Sequence, residues 1–261
     1  MNRLKSSQLS SADLSSASHG AFVNGSSSLT FPSIAARRRD RTAPPPFSLF
    51  APLHYERRYA YPLLVWLHGE GGSERELRQL MPHVSVRNYV AAAVRGGAEG
   101  GRSDRAGRAF TWDQSPRATG EAAERVRQCI DVAQQRFNVH PERVFVAGNG
   151  RGGTMALRLA LQFPEWFAGA VSLGGPMPTG NAPLGRVKAA RGLPLMLASC
   201  RESDEYPPAR VADDLRLLHS AGFSLALRQY PGEHELTTVM LADMDRWLMG
   251  QICPSMAGAA L

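Results

Sequence analysis

With 261 residues, 43% of them hydrophobic, the chain is long enough for one α/β domain with a full core and something extra. The net charge of +7 is uneven: residues 1–46 hold six of the 30 Lys and Arg and two of the 23 Asp and Glu, leaving 24 basic against 21 acidic residues in the remainder. That remainder is near neutral and lacks the clustered Lys and Arg of a nucleic-acid footprint. Cys129, Cys200 and Cys253 have no C-x-x-C spacing, which argues against a zinc site, and no run is apolar enough to span a membrane.

Residues 1–46 are Ser-rich and end in "AARRRDRTAPPP". They offer too little apolar surface to pack and are expected to form a disordered tail. An acid-poor, Ser- and Arg-rich start can also be a transit peptide, but no continuous apolar segment marks a secretory signal. Few, unpatterned cysteines fit a reducing compartment, so the expected location is cytoplasmic.

From Phe47 the pattern changes. Leu63–Trp66, Tyr89–Val94, Arg143–Ala147, Ala168–Leu173, Leu195–Ala198 and Leu225–Tyr230 are short and mostly unbroken apolar runs. Strands buried on both faces of a parallel sheet look like this. Between them lie helical stripes at Val126, Ile130, Ala133 and Phe137, at Val211, Leu215 and Leu218, and at Leu236, Met240, Met244 and Trp247. The alternation predicts an α/β fold: an open, mostly parallel sheet with helices on both faces, over residues 47–252, followed by a flexible tail at 253–261.

One stretch, "VFVAGNGRGGTM", supports two motifs. Gly148, Gly150 and Gly153 satisfy G-x-G-x-x-G, the dinucleotide-binding fingerprint. That reading needs a carboxylate about 20 residues on, at the end of the next strand, but the chain there reads "GAVSLGGP". A P-loop needs a Lys before Thr154, and none is present. The other reading is the G-x-S-x-G nucleophile elbow without its serine. Its surroundings fit. "LLVWLHGEGG" follows a strand and would supply an oxyanion-hole amide from its Gly-rich loop, at Gly69, Glu70 and Gly71. "YPGEHELT" places His234 after the last strand, where a triad's base belongs, and Asp204 lies on a polar loop between them. The order is elbow, acid, histidine.

These blocks, with "NVHPERVFVAGNGRGGTMALRLALQFPEWFAGAVSLGG" as the most specific, resemble the α/β-hydrolase superfamily in its phospholipase/carboxylesterase, dienelactone-hydrolase-like branch. The resemblance spans roughly residues 47–250. It implies an α/β-hydrolase core without a large lid domain, acting on carboxylic esters or thioesters, with no cofactor or metal.

The chain departs from that pattern at two places. Gly150 stands at the nucleophile position, and glycine has no side-chain atom to attack a carbonyl. Glycine also relieves the strain of the elbow turn. The family's acid motif, laid over "SCRESDEYP", puts Ser203 at the acid position and Asp204 one residue later. His68 is expected to pack beneath its loop, Trp66 and Trp247 in the core, and Trp112 at a pocket wall. Three readings follow. One is a degenerate hydrolase that binds an ester, an anionic ligand or a protein partner, with Arg151 adding positive charge and Glu70 opposing it. Another is ester hydrolysis by a serine-free route, with His234 activating water. The third is a fold kept for interaction alone.

Overall fold

The unbroken apolar runs become the parallel part of one sheet. The computed structural model describes residues 47–98, 109–233 and 235–253. The tail at 1–46, nearly all of 253–261 and His234 therefore lie outside the described residues. The elements in chain order are β1 (Phe47–Phe50), β2 (Tyr61–Leu67), α1 (Glu76–Val84), β3 (Val90–Val94), β4 (Gly97–Ala98), β5 (Phe110–Thr111), α2 (Pro116–Arg136), β6 (Val139–Asn149), α3 (Arg151–Gln162), β7 (Gly169–Leu173), α4 (Val187–Ala190), β8 (Leu195–Cys200), α5 (Pro208–Ser220), β9 (Leu225–Tyr230) and α6 (Thr238–Ile252).

The main sheet has the order β1-β3-β2-β6-β7-β8-β9. Every pairing is parallel except β1 with β3. This is the expected open, mostly parallel sheet of an α/β hydrolase. All six expected strands form. Edge strand β1 was not expected: "FSLF" is four residues long, half-buried and directly after three prolines, too short to show a period. The β4–β5 ribbon is shorter still.

Period-two geometry divides each run between two cores. On β2, Leu63, Val65 and Leu67 join α2 and α3 through Val126, Ile130, Ala133, Met155 and Leu159. Leu64 and Trp66 face the opposite layer, with Leu77 and Met81 of α1 and Met240 and Met244 of α6. Helix starts are capped locally. The Ser115 hydroxyl accepts from Ala118 N–H ahead of Pro116, and the Thr237 hydroxyl accepts from Met240 N–H.

Because β2, β6, β7, β8 and β9 run parallel, the loops after β2, β6, β8 and β9 lie at one end of the sheet, outside the strands' carboxyl ends. Open α/β sheets bind ligands there.

Candidate active site

The loop after β2 is built from the inside. His68 is fully buried, and its Nε2 accepts the Gly96 N–H at 2.9 Å. The proton therefore sits on Nδ1, which donates to the Gly69 carbonyl at 2.7 Å. Burial holds this imidazole below its ordinary pKa, so it stays neutral. Trp112 donates its indole N–H to the His68 carbonyl at 2.9 Å and packs beside the ring. Only 2% exposed, Trp112 is a buried anchor for the loop and not a pocket wall. His68 has the expected structural role. Trp66 is core, and Trp247 is half-buried against it.

Two carboxylates complete this loop. Glu74 is buried and receives both the Arg95 Nε, at 2.7 Å, and a terminal nitrogen of the same guanidinium. Burial alone would raise the Glu74 carboxyl, but the Arg95 hydrogen bonds bring it below its ordinary range. Glu76 accepts from the Trp66 indole at 3.2 Å and from the Gly69 backbone amide. Its burial outweighs these bonds and raises its pKa. The Gly69 amide is thus committed to Glu76, and the Gly71 amide donates to the Phe110 carbonyl at 2.9 Å. Of the three loop residues expected to bind, Glu70 alone keeps an amide without a partner among the described residues.

The elbow follows β6. Gly150 has φ 50° and ψ −120° and is the N-cap residue of α3. The helix starts at Arg151. Thr154 donates its hydroxyl to the Pro176 carbonyl at 2.9 Å. The glycines of the motif have different reasons to be glycine. A Cβ on Gly152 would lie 2.3 Å from the Leu67 and His68 carbonyl oxygens, and one on Gly148 would lie 2.4 Å from Gly152. One on Gly153 would meet the Ser172 hydroxyl at 2.4 Å. Those three let α3 press against the ends of β2 and β7. Among the described residues, a Cβ on Gly150 meets nothing nearer than a Glu205 carboxylate oxygen at 4.0 Å. None of them crowds position 150; it is the left-handed backbone that favours glycine there.

Arg151, at the first turn of α3, pairs through Nε with Glu70 at 3.3 Å. Both side chains are about half exposed, so the pair adds at most about 1 kcal/mol. It does join the elbow helix to the oxyanion-side loop, and each charge offsets the other. The α3 N-terminus still presents first-turn amides that lack intrahelical acceptors.

The loop after β8 carries the candidate acids. Ser203, at the family's acid position, is buried, and its hydroxyl accepts from the Tyr206 N–H at 3.1 Å. It serves the turn. Asp204 is exposed, and it is Glu205 that reaches to within 4.0 Å of the Gly150 Cβ direction. Nothing in "RESDEY" marks Glu205 over its neighbour, because an irregular loop has no period from which to read direction. The position of His234 lies outside the described residues. The flanking residues Gly232, Glu233 and Glu235, with Cys200, Pro231 and Thr237, line a cavity of about 140 Å³.

Residues 42–214 match the model of the Esterase family, described as "Putative esterase". The chain belongs to this family. "Putative esterase NocK" of Nocardia uniformis subsp. tsuyamanensis is 32% identical over 127 residues, covering 45% of this chain and 34% of that protein. The acetylxylan esterase of Coprinopsis cinerea is 30% identical over 122 residues, 43% of this chain and 30% of that one. The matched segment thus spans about a third of these curated relatives. Among solved structures, Zea mays acyl-protein thioesterase 2 superposes with a TM-score of 0.63 at 18% identity, over 80% of this chain and 99% of that one. Arabidopsis thaliana SOBER1 gives 0.62 at 19%, over 74% and 100%. These structures share the fold of the present chain. Among the described residues, no helix is long and apolar enough to cross a membrane, and no group of three His, Cys, Asp or Glu could hold a metal ion.

Proposed function

We propose that this member of the Esterase family is a degenerate ester hydrolase. It holds a small ester, or the related carboxylate, in the cleft above the elbow and forms no acyl-enzyme there. The observation that carries this reading is Gly150. It occupies the elbow turn between β6 and α3 with the left-handed backbone that an elbow nucleophile needs, and it carries no nucleophile. The first-turn amides of α3 and the free Glu70 amide supply the donors that a carbonyl oxygen or a carboxylate would accept. The Arg151–Glu70 pair is balanced within itself, so it does not oppose an uncharged ester.

The test compares wild type, Gly150→Ser and His234→Ala. The probes are an activated aryl ester and a fluorophosphonate that labels catalytic serines. Wild type is expected to show no burst of released phenol and no label. Gly150→Ser should take up label if the histidine partner is in place. A wild-type burst, or a covalent acyl adduct found by mass spectrometry, would overturn the proposal.

A further inference from the structure

We propose that Glu205 is the general base of a slow ester hydrolysis that runs on water in place of the missing serine hydroxyl. This rests on the reading of Gly150 as the nucleophile position. The supporting geometry is direct. Among the described residues, only the side chain of Glu205 comes as near as 4.0 Å to the point where a Gly150 side chain would begin. A water replacing the hydroxyl would stand between that point and the carboxylate, in the range of about 2.6–3.2 Å over which a general base works.

The loop holds Glu205 in this place. Arg201 N–H donates to the Tyr230 carbonyl at 2.9 Å, and Glu202 N–H to the Gly232 carbonyl at 3.1 Å. On either side of the Asp204–Glu205 pair, Ser203 and Tyr206 are buried and joined by a hydrogen bond. The charges also separate the candidates. Glu70 is paired with Arg151, whereas Glu205 has no cation partner among the described residues and remains available to take a proton.

The steps balance. A water proton passes to the Glu205 carboxylate as the water oxygen bonds to the ester's acyl carbon. The carbonyl π pair moves onto oxygen, which the Arg151 and Glu70 amides can receive. The intermediate then collapses: the carbonyl re-forms, the bond to the alcohol oxygen breaks, and the proton on Glu205 passes to the departing alkoxide. Ester and water become acid and alcohol, and the carboxylate is regenerated.

Steady-state hydrolysis of p-nitrophenyl acetate tests this in wild type, Glu205→Gln, Glu205→Asp and Glu202→Gln, alongside a buffer blank. Both Glu205 and Glu202 are exposed, so the variants should keep the wild-type melting temperature. Expected results are burst-free wild-type turnover above the blank and a slower rate in D2O. Glu205→Gln should lose at least tenfold, within the roughly 10²–10⁴-fold that general bases supply. Glu205→Asp should also slow, because the shorter side chain no longer reaches. Glu202→Gln should stay within twofold of wild type. An unchanged rate in Glu205→Gln, or wild-type turnover equal to the blank, would overturn the role of Glu205. Neither result touches the absence of an acyl-enzyme, which only a burst or a covalent adduct would overturn.

Discussion

The two sides of the cleft are built differently. On the oxyanion side, the loop at 68–76 is held by buried groups. His68 links the Gly69 carbonyl to the Gly96 amide, Trp112 holds the His68 carbonyl, Arg95 holds Glu74, and Trp66 holds Glu76. On the acid side, the loop at 201–207 has one internal side-chain bond, from Tyr206 N–H to Ser203, and its two central carboxylates are exposed. Buried polar groups must be paired, so the first loop is part of the fold's stability. Exposed carboxylates carry no such obligation. Changes at Asp204 or Glu205 therefore cost the fold little, whereas changes at His68 or Gly152 would cost much. A scaffold of this kind can lose its reacting groups and still stand.

Glycine substitutions give the largest expected contrast. Gly152→Ala drives a Cβ into the Leu67 and His68 carbonyl oxygens, backbone atoms that cannot step aside. It should cost more than about 3 kcal/mol by urea denaturation, above the usual range for overpacking. Gly150→Ala meets open space and should cost only the left-handed backbone, about 1–2 kcal/mol. Equal losses would mean that the elbow is as tightly built as the seam beside it.

Acid titration should reveal the wired loop next. His68 has a lowered folded pKa, so its contribution is complete above its unfolded value of 6.5 and is lost as pH falls below that. Glu74 also has a lowered folded pKa; its contribution is present above 4.5 and is lost as pH falls through its folded value. Stability should thus begin to fall near pH 6.5 and fall more steeply below 4.5. Glu74→Ala should cost about 2–3 kcal/mol at pH 7, towards the low end for breaking a buried pair because Arg95 is one-quarter exposed, and should flatten the lower limb. A lower limb unchanged by Glu74→Ala would place the acid sensitivity outside this loop.

Glu76→Gln should have the smallest effect. The folded pKa of Glu76 is raised, so its favourable contribution belongs to low pH and is lost as pH rises through that value. Glutamine keeps an acceptor for the Trp66 indole and the Gly69 amide without a buried charge. The melting temperature at pH 7 should rise by a degree or two, and calorimetry at pH 4 and pH 7 should show the gain at the higher pH. A fall at pH 7 would mean that the loop needs the ionised form.

Much of the fold was legible because burial writes itself into composition. The parallel strands are apolar runs, and their order of appearance limits the topology. The elbow, the His-Gly loop and the structural role of His68 were legible from glycine placement and chain order. Less was legible where contacts are distant or short. Edge strand β1 has four residues and no period. The role of Trp112 depends on a carbonyl 44 positions away.

The sequence alone determined that no hydroxyl, thiol or carboxylate is attached at position 150, since side-chain chemistry is settled by residue identity. It also determined the layered α/β scaffold, through long apolar runs spaced by helical stripes. Only the tertiary structure decided which glycines serve space and which serves backbone conformation. It also decided that Glu70 faces Arg151, and that Glu205 rather than Asp204 leans over the elbow. Those outcomes depend on loop paths and through-space distances, which a chain without local periodicity does not encode residue by residue.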